Sequence, residues 1–198
     1  MSRFDTAAAE WDKGDMRQQI AAETATAIRR NIPLHDTMEL LDFGAGTGLL
    51  TYRILPHVRS LTAVDTSAKM LEVLQRKSTP GQRIETACRD ITKMPLNRKF
   101  DGIISSMAMH HVEDTAAFLA TLHEHLRPGG FIALADLDKE DGSFHTRGNE
   151  GVFHFGFDRD TLRETAKAAG FSQIGFDTVL TIRKSHGDFP VFLMTACA

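Results

Sequence analysis

Cysteine, tryptophan and tyrosine are scarce, at 2, 1 and 1 of 198 residues, and there are only 6 prolines. Cys88 and Cys197 can close at most one bridge and match no zinc-ligand spacing, which excludes a disulfide framework and a structural zinc module. Long apolar runs are also missing. Phe131 to Ala135 is representative of the longest, far below the ~18 residues that cross a bilayer. Met1-Ser2-Arg3-Phe4-Asp5 opens without the apolar stretch of a signal peptide, so a cytoplasmic protein with no membrane segment is expected. Positive charge is not in excess, with 23 Lys+Arg against 26 Asp+Glu and a net of −3. A dedicated nucleic-acid binder carries a strongly basic footprint, so no nucleic-acid partner is expected. What is present is 42% hydrophobic and 25% charged residues, ordinary values for a globular chain. At ~150 residues per domain the length predicts one domain over 1–198.

The chain contains no internal repeat and no low-complexity linker. Met16, Ile20, Thr24 and Ile28 recur at helical spacing and predict a helix over Asp15–Asn31, closed by Pro33. A regular alternation follows. Strands are expected at Thr37–Phe43, Arg59–Asp65, Gln82–Cys88, Phe100–Ser105 and Gly130–Leu137. Helices are expected at Gly48–Leu55, Ser67–Lys77 and Asp114–Leu126. Leu61-Thr62-Ala63-Val64 and Gly102-Ile103-Ile104 are short and almost wholly apolar or small, as strands covered on both faces are. The implied fold is α/β with a parallel, doubly wound sheet. After a 138–157 connection of unusual length, Asp158–Ala169 reads as a capped helix with Gly170 past its end. Phe171–Thr181 and Phe189–Cys197 then lie too close for a parallel crossover and predict an antiparallel hairpin.

The first strand runs into Leu41-Asp42-Phe43-Gly44-Ala45-Gly46-Thr47-Gly48. Three alternating glycines let the backbone turn tightly and approach a ligand without a Cβ in the way. Open α/β sheets bind ligands outside the carboxyl ends of their strands, where this loop falls. Asp65 ends the second strand 21 residues after Gly44, where a carboxylate can accept from both hydroxyls of a ribose. A nucleoside-containing cofactor follows. The dinucleotide fingerprint needs glycine at position 49, which is Leu49, and the phosphate loop needs a Gly-Lys-Ser/Thr that is missing. Tyr52 is not followed by a lysine four residues on, so hydride transfer of the short-chain dehydrogenase kind has no support.

With these residues the sequence resembles the class I S-adenosylmethionine-dependent methyltransferases, notably the small-molecule type that includes ubiquinone/menaquinone-biosynthesis enzymes. The resemblance runs from about Trp11 to the final hairpin. Besides the glycine loop and Asp65, it is carried by Cys88-Arg89-Asp90-Ile91-Thr92-Lys93-Met94-Pro95-Leu96, by Phe100-Asp101-Gly102-Ile103-Ile104-Ser105-Ser106 and by Leu126-Arg127-Pro128-Gly129-Gly130. It implies a Rossmann-like seven-stranded sheet of order 3-2-1-4-5-7-6 with strand seven antiparallel. It implies S-adenosylmethionine as cofactor, with the turn of Gly44, Ala45 and Gly46 against its methionine part and Asp42 supporting that turn. Asp65 would hold the ribose, with Thr66 and Met70 beside the adenosine. Asp90 would accept from the adenine amino group, the Ile91 amide would meet a ring nitrogen, and the Ser105 carbonyl would meet the ammonium group. Met70 reads equally as core and Asp90 equally as a turn cap.

Methyl transfer asks a protein for positioning, water exclusion and sometimes a base. His110 and His111, after strand four, are the catalytic candidates, since imidazole can take a proton at neutral pH; packing or capping is their other reading. No Asn/Asp-Pro-Pro-Tyr/Phe motif follows strand four, which argues against methylation of nucleic-acid bases or protein glutamine. No metal site is expected, because His123 and His125 point to different helix faces. The resemblance implies that residues 1–32 form a helical lid carrying Trp11 over the site, and the 138–157 connection is either a second lid or sheet cover. The expected function is methyl transfer to a small-molecule acceptor by a monomer or homodimer. A non-catalytic protein that binds S-adenosylmethionine or S-adenosylhomocysteine, and a nicotinamide-dependent oxidoreductase, are the alternatives.

Overall fold

A computed structural model describes residues 3–145 and 148–198. Met1 and Ser2 of the expected lid, and positions 146 and 147 of the long connection, lie outside the described residues. The seven strands β1 (Glu39–Phe43), β2 (Ser60–Asp65), β3 (Ile84–Cys88), β4 (Phe100–Ser106), β5 (Leu126–Leu137), β6 (Ser172–Lys184) and β7 (Gly187–Cys197) form one sheet. Its order is β3-β2-β1-β4-β5-β7-β6. Strands β1 to β5 pair in parallel, and β7 runs antiparallel to both β5 and β6. The expected topology is present in full. β7 must be antiparallel because only Ser185 and His186 separate it from β6, too short for a crossover.

Period-two alternation sends successive side chains to opposite faces, and both faces are covered. Leu40, Ile104, Ala133 and Leu193 join one apolar cluster with Ile20 and Ile28 of α2 (Asp15–Asn31), the helix after the short α1 (Arg3–Ala7), and with Ile54 of α3 (Thr51–Ile54). Leu41, Ile103, Leu134 and Met194 join another with Phe118 and Leu122 of α5 (Thr115–Glu124) and Leu162 of α6 (Arg159–Ala168). Ser67, Asp114 and Asp158 cap α4 (Ala68–Lys77), α5 and α6 by accepting from the amides of Met70, Ala117 and Thr161. No helix among the described residues is long and apolar enough to cross a membrane.

Several boundaries differ from the sequence reading. The helix expected from Gly48 is only α3 followed by a 3-10 turn at Leu55–His57, because Pro56 lacks the N–H that a longer α-helix needs. β5 starts at Leu126 rather than Gly130, and α5 stops at Glu124. There Phe100 donates its amide to His125 O at 2.8 Å, which carries strand pairing through the turn. β6 runs on to Lys184, where tight pairing with Gly187 replaces the expected looser connection.

Candidate functional site

The parallel register sets the carboxyl ends of four strands side by side: Phe43 beside Val64 and Ser105, and Ser106 beside Ala135. The chain leaves β1 through Gly44, Gly46 and Gly48, all at positive φ of 66°, 54° and 84°. Two of these glycines have different duties. A Cβ on Gly44 would lie 2.3 Å from Ala108 Cβ, so that glycine lets the β1 and β4 loops touch. A Cβ on Gly46 would meet nothing within 4 Å, so that position faces open space. Ala45 anchors the turn by donating its amide to Val64 O at 3.0 Å.

Asp65, at the end of β2, accepts from the Gly46 amide through Oδ2 and from the Ser67 amide through Oδ1, both at 2.8 Å. Each carboxylate oxygen keeps a second lone pair, which matches two ribose hydroxyls. Burial pushes the Asp65 pKa up, the Ser67 and Gly46 amides oppose that, and the nearby Asp5 charge adds to it. Asp42 is fully buried beneath the loop and accepts from Thr51 Oγ1 at 2.6 Å. Burial raises its pKa to about 7, against the Thr51 hydrogen bond and with a push from Asp65. In the unfolded chain that carboxyl ionises near ~3.9, as an aspartate free in water does. The folded state therefore binds the extra proton between those values, and its stability is expected to fall as pH rises from about 4 to about 7. Urea unfolding midpoints of wild type and Asp42→Asn across that range check this, since the amide removes that part of the slope.

The remaining candidates are scattered in role. Met70 and Ile91 are fully buried, and Thr66 is exposed. Asp90 uses Oδ1 for the amide and hydroxyl of Thr92, at 3.0 and 2.6 Å, and Oδ2 for Lys93 at 3.1 Å. These bonds close a turn, and Oδ2 keeps a further lone pair for another donor. The Ser105 hydroxyl donates to Phe43 O at 2.8 Å and ties β4 to β1 at the loop.

On the β4 side Met107 adopts φ 58°, a costly conformation for a residue with a Cβ. It turns the chain into the 3-10 segment Met109–His111. His110 is buried, and its Nδ1 lies 2.7 Å from Oδ1 of the equally buried Asp136. His111 is partly exposed and places Nδ1 2.6 Å from Gly151 O. In the 138–157 connection Phe144 and Phe157 are buried, as sheet cover requires, while Phe153 and Phe155 are 53% and 42% exposed.

The N-terminal segment reaches the same edge. Asp5 accepts from Ser67 Oγ at 2.6 Å, and Asp12 accepts from Thr47 Oγ1 at 2.5 Å and Lys77 Nζ at 2.7 Å. The Phe4 ring meets Trp11 at 5.9 Å and His111 at 5.2 Å between centroids, and the Arg17 guanidinium lies 3.9 Å over the indole. Trp11 is half-buried. Asp5, Asp12 and Asp136 were not picked out from the sequence. Each is one acidic residue among 26, and no local pattern marks its partner.

Residues 40–130 match the family described as a methyltransferase domain. An uncharacterized methyltransferase of Schizosaccharomyces pombe is 31% identical over 121 residues, 54% of this chain and 42% of that protein. The trans-aconitate 2-methyltransferase of Deinococcus radiodurans is 31% identical over 139 residues, 68% of this chain and 52% of that protein. The chain spans about half the length of the curated relatives it matches. In fold it is similar to the protein solved in complex with the Haloferax volcanii Trm112 methyltransferase activator. That likeness has a TM-score of 0.82 and 17% identity, and covers 100% of this chain and 98% of that one. It is also similar to DhpI solved with S-adenosylhomocysteine, with a TM-score of 0.77 and 22% identity, covering 98% of this chain and 92% of that one. The fold is that of the Rossmann-like methyltransferases. The matched methyltransferase domain and the methyltransferase names of these relatives point to methyltransferase chemistry, while the likenesses to the solved structures show the fold. The narrower ubiquinone/menaquinone type is not carried by these matches.

Proposed function

We propose that the protein transfers a methyl group from S-adenosylmethionine to a small-molecule acceptor, as in the ubiquinone/menaquinone type that its sequence resembles. The observation that carries this reading is the pairing of Asp65 with the Gly46 amide at the carboxyl edge of the sheet, beside the open space that a Cβ on Gly46 would enter. The cofactor supplies an activated methyl group when bound. Asp65 would hold its ribose, and the Gly44–Gly48 turn would lie along its amino-acid part. His110 and His111 line the acceptor side on this reading, with His110 as the base. The N-terminal segment, bound through Asp5 and Asp12 to Ser67, Thr47 and Lys77, acts as the lid that excludes water from the reacting centre. We take the active form to be a monomer or homodimer. A requirement for an activator, such as the Trm112 protein in the Haloferax volcanii complex, is the alternative, and turnover by the chain purified alone decides it.

Calorimetry with S-adenosylhomocysteine and with NADH tests the cofactor: binding of the first alone is expected, and binding of NADH alone would sink the reading. The lid has its own readout. Trp11 is the only tryptophan, so saturating S-adenosylhomocysteine is expected to shift or quench the protein's indole emission. Removal of residues 1–14 is expected to lower turnover more than it lowers the melting temperature. An unchanged spectrum together with full activity of the shortened chain would take Trp11 out of the site.

A further inference from the structure

We propose that the groove at the amino ends of β2 and β3 is a second ligand site, which takes a small phosphomonoester between Arg59 and Arg83. The inference goes beyond the methyltransferase reading and does not depend on it. Leu55 and Val58, each 8% exposed, give the groove an apolar floor, and Arg59, Gly81, Gln82 and Arg83 stand around it. Its volume is about 280 Å³, the share of about nine waters at ~30 Å³ each. That is room for a phosphate and a short stem.

The strands bring the two arginines together. β2 and β3 pair in parallel with Leu61 beside Ile84, and the Leu61 amide donates to Arg83 O at 3.0 Å. Arg59 is held from the β1 side, its amide donating to Met38 O at 2.8 Å. Gln82 turns its Oε1 back to the Thr79 amide at 2.9 Å and closes the turn that leads into Arg83. Gly81 sits at φ 91°, where an added Cβ would meet nothing within 4 Å, so the rim on that side is open.

Charge sets this groove apart. The chain has an acidic excess, 26 Asp+Glu against 23 Lys+Arg, yet no lining residue of the groove is acidic. Arg59 and Arg83 are exposed, and neither makes an ion pair or a side-chain hydrogen bond among the described residues. Glu85, two residues beyond Arg83, is taken by Arg98 at 2.7 Å. Arg29 adds a third guanidinium on the flank by donating to His57 Nε2 at 3.3 Å, next to the lining residues Pro56 and Val58. An imidazole that accepts there is neutral, so it leaves that charge uncancelled. A neighbouring groove on the same edge supplies the contrast. There Arg127 reaches Asp101 and Glu39, each at 2.7 Å, and is already neutralised.

Three guanidiniums without a carboxylate favour a dianion over a monoanion. A phosphomonoester carries about −1.5 to −2 at pH 7, and the planar fork of an arginine meets two of its oxygens at once. The floor asks for a stem, since Leu55 and Val58 belong to the apolar core and a ring or short chain would cover them. Methyl transfer lies elsewhere. The six residues of β2 set Arg59 about 20 Å from Asp65 at ~3.3 Å per residue, so one small molecule does not reach both.

The test titrates the full chain with phenyl phosphate, inorganic phosphate and benzoate at about pH 7.5 and low salt, read by amide spectra and calorimetry. Phenyl phosphate is expected to bind with a dissociation constant of ~2 mM or less. Inorganic phosphate, without the ring, and benzoate, with a single charge, should each bind at least about fivefold more weakly. Amide shifts should centre on residues 55–59 and 81–83 and spare the Gly44–Gly48 turn. Arg59→Gln and Arg83→Gln should each weaken phenyl phosphate about tenfold, whereas Arg76→Gln, on α4 outside the groove, should leave it unchanged. Both arginines are exposed, so affinity of the variants for S-adenosylhomocysteine should stay within about twofold of wild type. A weaker constant for phenyl phosphate, equal binding of benzoate or inorganic phosphate, shifts confined to the Gly44–Asp65 edge, or full affinity in the double variant each overturns the proposal. Failure of the wild type to bind S-adenosylhomocysteine would strike the methyltransferase reading and leave this one standing. If an arginine variant does not fold, the wild-type titrations and shifts still decide.

Discussion

Gly46→Val is expected to cost at least ~100-fold in affinity for S-adenosylhomocysteine, ~2.7 kcal/mol, while the chain still folds. The effect is large because the branched side chain would project into the open space beside Asp65, where nothing lies within 4 Å. The folding cost is smaller. A β-branched residue at φ 54° carries ~1–2 kcal/mol of strain, which in a chain of this size lowers the melting temperature by about 2–8 °C. Gly44→Ala gives the contrasting pattern, since its Cβ would lie 2.3 Å from Ala108 Cβ and force the two loops apart. That variant should lose stability before affinity. Isothermal titration and thermal melts on both proteins separate the two effects. Unchanged affinity in Gly46→Val would move the cofactor off this loop.

Asp65→Ala is expected to weaken cofactor binding about tenfold to a hundredfold, since hydrogen bonds to a charged acceptor contribute ~1.5–3 kcal/mol. The structure adds a second loss, because the same carboxylate holds the Gly46 and Ser67 amides in place. Asp65→Asn should do no better. Its single carbonyl oxygen can serve only one of those two amides, and its NH2 group would face the other donor. Affinity should also fall with decreasing pH sooner than an ordinary carboxylate would dictate, because burial holds the Asp65 pKa up. Calorimetric titrations between pH 4 and pH 8 read both effects. Equal affinity in wild type and Asp65→Ala would show that Asp65 holds something other than the ribose.

Local signals decided a good part of the molecule in advance. Apolar strands of short length and helices with Ser67, Asp114 and Asp158 at their starts are written in a few neighbouring residues, because period and capping act over one or two turns. The glycine loop is equally local: φ above zero at 44, 46 and 48 calls for a residue without a Cβ. The antiparallel last strand followed from connection length alone. The sheet order came through resemblance, since no short-range pattern states which strand lies beside which.

Tertiary structure decided which polar groups meet. Asp90 sits in a motif that implied an adenine contact, and its carboxylate also takes the hydroxyl and amide of Thr92 and the Lys93 cation, all within its own turn. Asp5 and Asp12 are ordinary acidic residues until the N-terminal segment folds back onto Ser67, Thr47 and Lys77. His110 was visible as a candidate base, but its partner Asp136 is 26 residues away on the next strand. Only the parallel register of β4 against β5 brings them together, and a shift of one residue would turn Asp136 to the opposite face of the sheet. Strand register is set by the packing of both faces at once, which is why a sequence read element by element names the histidine and misses the aspartate that orients it.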